Sequence, residues 1–485
     1  MQKRVFQKYL ILCLTFLCLS DLSALKSKNK NKSKCVLPRN LAREIDSYKP
    51  ILKDIKNMTT NGFFHGLTFN ELATFVNKFS SRISGSKTLE RSIDYMLEKS
   101  KNMSFDNVHG EEVMVPRWIR GKESVKLLKP LVKNIPMLGL GYSVGTPQKG
   151  ITAKAVVVRS FSDLILRANE IPGRIVVFNQ EYVNYNETVK YRSQGAIEAA
   201  KFGAVAVLIR SITPSLEYIP HTGMMDYNVN VTKIPAACIT VSDAQYLNKL
   251  ADEDKEIIIN LKMNAKTYPN VKSRNVIAEI TGLIKPENVV VISGHIDNWD
   301  VGQGAMDDGG GAFISWSALA LLKYLGLKPK RTIRTILWTA EEFGLIGSSH
   351  YINIHKLKEP NLQFVMESDA GTFTPLGLQV SGTNLVKCII ERIFSLLKPE
   401  VNFEINDKAE GPDIDSWINS GVPGASLWNA NEKYFWYHHT KADTIDLENP
   451  EDLDKGTALF ASVAYVLADI NIDLPRNKLV IKERI

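Results

Sequence analysis

Five residues of metal-ligand type follow one another along the C-terminal half of the chain: His295, Asp307, Glu342, Asp369 and His439. Each lies where a predicted strand ends or a loop begins. Two imidazoles and three carboxylates are what a pair of zinc-like cations needs if one carboxylate bridges them, and such a pair does hydrolysis. His295 and Asp297 are two apart on an extended segment, so both side chains leave the same face. Asp297 is therefore expected to orient the His295 ring or its metal. Glu341 and Glu342 are adjacent and must diverge, one toward a metal and the other toward a water whose proton it can take.

The elements that must gather these residues are readable around them. Val289–Ser293, Thr332–Trp338 and Leu362–Met366 are short apolar runs, as in strands buried on both faces of a parallel sheet. Ala312–Tyr324 between the first two is apolar and free of Gly and Pro, which predicts a helix and a βαβ crossover. Ligands of such sheets collect beyond the carboxyl ends of the strands. Gly309-Gly310-Gly311 is expected to open that helix and leave backbone N–H groups unpaired near the metals. Taken singly, each feature is an ordinary loop acid, helix-start pair or turn. Five ligand-type residues at strand ends are harder to dismiss.

Residues from about 275 to 473 resemble the catalytic domain of the M28 family of zinc peptidases. The resemblance is carried by Ser293-Gly294-His295-Ile296-Asp297, by Gly304 to Gly311 with Asp307-Asp308 inside it, by Trp338-Thr339-Ala340-Glu341-Glu342, and by His439-Thr440-Lys441-Ala442-Asp443-Thr444. It extends to Arg82-Ile83-Ser84-Gly85-Ser86, Lys266-Thr267-Tyr268-Pro269 and Gly421 to Leu427. It implies two Zn²⁺ per chain, with Asp307 bridging, His295 and Asp369 completing one site, and Glu342 and His439 the other. It implies Glu341 as general base and acid and Asp297 as the supporting carboxylate. Much of the family uses a Tyr near the last metal His to bind the oxyanion. Here His438 precedes that ligand, with Tyr437 before it, and His438 is the oxyanion candidate.

At 485 residues, 44% hydrophobic and 23% charged, the composition is that of an ordinary globular protein. The net charge of +8 misleads, because residues 1–34 hold eight Lys or Arg against one Asp. The remaining body is nearly neutral and offers no basic surface for nucleic acid. Lys3, Arg4 and Lys8 precede an apolar run, Tyr9–Leu19, too short to span a bilayer. With small residues at Ser20 and Ala24, it reads as a secretory signal peptide. No other segment looks transmembrane. Sequons at Asn57, Asn102, Asn186 and Asn230, and at Asn31 in the basic tail, agree with that route. Outside the signal stand Cys35, Cys238 and Cys388, enough for one internal disulfide at most.

The expected fold is α/β, a mixed and mostly parallel sheet flanked by helices. The resemblance makes it the zinc exopeptidase fold with an inserted protease-associated domain. The expected map is a signal peptide at 1–24, a basic tail or propeptide at 25–44, an N-terminal part of the peptidase domain at 45–122, the insert at 123–270, the zinc peptidase core at 271–475 and a C-terminal tail at 476–485. Within it, Thr68-Phe69-Asn70-Glu71 reads as a capping box ahead of Leu72, Phe75, Val76 and Phe79 at helical spacing. A helix is expected near Ala196–Phe202.

The resemblance implies short peptide substrates, unblocked dipeptides foremost, a homodimer, and a secreted protein that also occupies the lysosome, ER or Golgi. Ser381–Asn384 and Asp413–Asp415 after Glu410 are candidates for gripping peptide termini, or ordinary helix caps. The rival readings are an aminopeptidase trimming longer peptides, a metal-free receptor or scaffold, and a two-metal phosphoesterase. The full ligand set speaks against the second, and the scarcity of cations around it against the third.

Overall fold

The computed structural model describes residues 35–215, 218–355, 361–399 and 401–477. The expected signal peptide, the Lys-rich stretch 26–34, the Asn31 sequon, Cys13 and Cys18 lie outside them. Of the unit ending at Pro38, residues 35–38 are described; they form no helix or strand, and Cys35 is disulfide-bonded. The unit from Arg39 onward carries everything that follows.

Its strands form two eight-stranded sheets among the described residues. In spatial order the first holds Asp106–Ile119, Lys266–Ile280, Arg331–Trp338, Lys285–His295, Leu362–Glu367, Gly424–Asn429, Pro375–Ser381 and Glu404–Asp407. Arg331–Trp338, Lys285–His295, Leu362–Glu367 and Gly424–Asn429 run parallel. Asp106–Ile119 and Lys266–Ile280 join antiparallel at one side, and Pro375–Ser381 pairs antiparallel with Gly424–Asn429 at the other. The sheet is mixed, with a parallel centre.

That centre is buried on both faces, which is why its strands read as unbroken apolar runs. Val289 to Ile292 are 0–2% exposed, and each such side chain contributes about 1.5–3 kcal/mol by leaving water. Gly310–Tyr324 is buried along nearly its whole length, as a helix apolar all round must be. It packs between the sheet and Pro450–Asp469. Trp338, Tyr351 and Trp417 close the other face.

The second sheet is built from residues 123–263, and Lys266–Ile280 already belongs to the first. The passage between sheets therefore falls at 263–266, a few residues before the expected limit of 270. Cys238 lies buried and free in this part, while Cys388 in the first is disulfide-bonded. The helix expected near Ala196–Phe202 spans Tyr185–Ala200, capped by Asn184.

Two expectations fail at the N-terminal side. Residues 39–44 are not tail: Arg39–Ser47 is a helix that buries Leu41 and Ile45. Nor is Thr68 a cap. The helix Leu67–Lys78 begins after Gly66, whose φ of 68° only glycine adopts freely, and Thr68 inside it is buried against the Thr457 hydroxyl at 2.9 Å. Leu72, Phe75 and Val76 do face the core from that helix. At the other end, Leu474 is buried and the Asn477 amide donates to Gly421 O at 2.9 Å, so the body continues past 475.

Candidate metal centre

Lys285–His295 ends at His295, whose position is fixed by two contacts. Its amide donates to Asp308 Oδ2 at 2.9 Å, and its Nδ1 lies 3.0 Å from the Asp297 carbonyl oxygen. With Nδ1–H bonded to that carbonyl, Nε2 is left as the free donor atom and points into the cluster. The shortest contact to that ring nitrogen is thus the main chain of Asp297. The Asp297 carboxylate lies beside the same ring, its Oδ1 3.7 Å from Nδ1, and accepts from the Glu341 amide at 3.0 Å and the Glu342 amide at 3.4 Å.

Asp307 sits at the centre. Its Oδ1 is 3.3 Å from His295 Nε2, and its Oδ2 is 3.3 Å from His439 Nε2. His295 Nε2 is also 3.5 Å from Asp369, while His439 Nε2 is 2.8 Å from Glu342. The five ligand-type residues therefore come together in one cluster, with the Asp307 carboxylate between the two histidines. His295 Nε2 and Asp307 Oδ2 are buried with no hydrogen-bond partner. Buried polar atoms are seldom left so, and this donor set is one that a divalent cation satisfies.

The Asp307 segment is held by residues without an assigned role in the sequence reading. Asp443 Oδ1 accepts from the amides of Ala305 and Met306 at 3.0 and 2.8 Å, and Oδ2 from that of Asp307 at 3.2 Å. Asp308 Oδ1 accepts from the Gly311 amide at 3.1 Å. The Gly309 amide bonds Gly304 O and that of Gly310 bonds Ala305 O. None of the three glycine amides is therefore spare for a ligand, contrary to expectation. Glycine is needed for close approach instead, since a Cβ on Gly311 would stand 1.9 Å from Ser368 O. Arg82, fully buried, donates to the carbonyls of Ile296, Phe79, Gln303 and Gly304 at 2.7–2.9 Å.

Burial, then the neighbouring acids, pushes Glu341 and Glu342 well above the usual carboxylate range. Burial also raises Asp369 and Asp297. Burial alone would raise Asp307, but the histidines around it, His438 foremost, hold it below its ordinary value. Burial opposes a charge on His295, yet Asp369, Asp307 and Glu341 carry its pKa well above the ordinary histidine value. Burial brings His438 down to about 4 and also holds His439 well below the ordinary histidine value.

His438 stacks on His439 at 3.6 Å, with Nε2 3.5 Å from Asp307 Oδ2. The two open into a cleft of about 790 Å³, walled by Glu341, Asp369 and Tyr434 from the first sheet's side and by Tyr185 and Arg192 from the second. Tyr185 stacks on Phe435 across it at 4.5 Å. Tyr437 does not line this cleft. Tyr434, one helical turn before His438, does, and the i, i+4 spacing to His438 was its signal. Thr383 caps the helix Asn384–Leu396, and Asp413 is buried beside Glu367; neither Ser381–Asn384 nor Asp413–Asp415 lines this cleft. Glu410 does line the cleft.

The profile of Peptidase family M28 matches residues 275–464. Carboxypeptidase Q of Homo sapiens is 49% identical over 90% of this chain and 93% of its own length. That of Xenopus laevis is 49% identical over 89% and 92%. The crystal structure of a peptidase M28 precursor from Shewanella amazonensis SB2B superposes with a TM-score of 0.84 at 32% identity, covering 90% of this chain and all of that one.

Proposed function

The chain belongs to peptidase family M28 and is a carboxypeptidase Q-like metallo-exopeptidase, and from that premise we propose a co-catalytic di-zinc enzyme that hydrolyses short peptides, unblocked dipeptides foremost. The observation that carries the reading is the splay of Asp307, one oxygen toward His295 and the other toward His439. One Zn²⁺ would be held by His295, Asp307 and Asp369, the second by Asp307, Glu342 and His439. Zinc at these positions supplies Lewis acidity, polarising a peptide carbonyl and lowering the pKa of water.

Glu341 takes the proton of the attacking water and returns it to the departing amine. Its buried carboxyl at the cleft wall, with a raised affinity for protons, suits a group that must both accept and give one back. Asp297 fixes Glu341 by its main chain. His438, neutral and beside Asp307, donates to the oxyanion.

Residues 123–263 serve as a protease-associated insert that walls the cleft. Synthesis through the secretory pathway is supported by the apolar run at Tyr9–Leu19 and by the sequon residues Asn57, Asn102, Asn186 and Asn230, all exposed. The protein is then an extracellular or lysosomal glycoprotein, matured by loss of a propeptide that ends before the Arg39 helix, and works as a homodimer. The test is a peptide panel of free, N-blocked and C-amidated dipeptides and a pentapeptide, with product analysis. Cleavage confined to doubly free dipeptides is the expected result. Stepwise trimming of the pentapeptide from its N-terminus would make the enzyme an aminopeptidase and overturn the substrate reading.

A further inference from the structure

His439 has a φ of 59°, in the left-handed region, so no regular element directs its ring. Its direction comes from the second sheet's side of the molecule. The Thr222 amide donates to the His439 carbonyl at 2.9 Å, and the Thr222 carbonyl lies 3.3 Å from His439 Nδ1. A ring that gives its Nδ1–H to a carbonyl presents Nε2 as the metal-binding atom, and Nε2 is the atom facing Glu342 and Asp307.

Residues 221–223 belong to no helix or strand, so this strap needs an anchor of its own. Arg192 supplies one from the helix Tyr185–Ala200. Its Nε donates to Met224 O at 3.2 Å and its Nη1 to Thr222 O at 3.4 Å. The guanidinium is nearly buried and fills the space beside Gly223, where an added Cβ would stand 2.4 Å from Arg192 Cζ. Nη1 is also 3.5 Å from His439 Nδ1, so ring and guanidinium converge on one carbonyl.

Resting on the metal reading above, we propose that Arg192 is a positioning residue for the ion held by His439. It acts through the strap Thr222–Met224, so that the inserted part of the chain completes one half of the metal centre. The supports found for the other half, at His295 and the Asp307 segment, lie in the first sheet's part, and that half is expected to bind its ion without the strap.

The test measures zinc directly in the full-length protein, by competition with a chromophoric chelator and by metal analysis after dialysis in zinc buffers. R192Q and G223A, which attacks the same contact from the other side, are each expected to keep one ion tightly. The second should bind about 10–100-fold more weakly, the range for losing an outer support of a ligand. Val207→Ala, in the core of the second sheet, is the control: it should lower the melting temperature and leave both affinities unchanged. If R192Q does not fold, G223A alone decides. Wild-type affinity for both ions in the strap variants overturns the proposal, and so does equal weakening of both ions in the strap variants and V207A. A wild-type protein that binds fewer than two ions overturns the metal reading and this proposal together.

Discussion

The carboxylate of Asp297 holds Glu341 by the main chain, its Oδ1 accepting the Glu341 amide at 3.0 Å. Asp297→Asn keeps one acceptor and the shape of the side chain, so it should fold while letting Glu341 drift. Displacement of a reacting group by about 1 Å can cost ~10²-fold in rate. We expect kcat to fall by about that factor in D297N, with KM and melting temperature little changed. Asp297→Ala leaves buried amides unpaired and should lose stability as well, by about 1–3 kcal/mol for each orphaned group. Equal activity in D297N and wild type would remove Asp297 from the machinery.

Glu341→Gln removes the proton carrier but none of the five ligands. It should retain both ions by metal analysis while turnover drops about 10²–10⁴-fold. Asp307→Ala should lose metal together with activity. Two ions still bound in D307A would contradict the shared carboxylate.

Arg82 spans four carbonyls with a fork that no other side chain reproduces. Arg82→Lys keeps the charge and should still be destabilising, because a three-donor ammonium leaves at least one of the four carbonyls without a donor at about 1–3 kcal/mol. Urea unfolding checks this, and a midpoint equal to wild type would refute it.

Glu448 is buried with Thr372 donating to it, and burial lifts its pKa from the ordinary 4.5 to about 8. The folded protein then holds a proton that the unfolded chain has lost, so this contribution to stability is complete below pH 4.5 and fades as pH rises through about 8. Glu448→Gln cannot titrate. Its melting temperature relative to wild type should therefore rise between pH 5 and pH 9, and a pH-independent difference would show that Glu448 ionises freely in the fold.

The clustering of the candidate ligand residues was legible because the physics that buries a parallel sheet also confines chemistry to its strand ends. Short apolar runs marked the strands, and His295, Glu342 and Asp369 followed them directly. Supports that depend on contacts across long stretches of chain were not legible. Thr222 and Arg192 lie more than 200 residues before the ring they meet. Asp443 was visible as part of a motif, yet nothing local indicates that its carboxylate gathers three amides 136 to 138 residues away. The capping box at Thr68 failed for a related reason. A local pattern competed with a buried hydroxyl contact to Thr457, and the tertiary contact won.

The two crossings between the sheets lie side by side, since Ile119 pairs with Lys266 where the chain leaves and returns. A body attached only there would be free to swing like a hinged door. The Thr222–His439 contact fastens it at a further point, beside the metal centre. An architecture fastened in this way cannot be divided into a minimal catalytic half and an ornamental one. Excising residues 123–263 would remove a jamb of the active site, so the two sheets must be inherited, folded and engineered together.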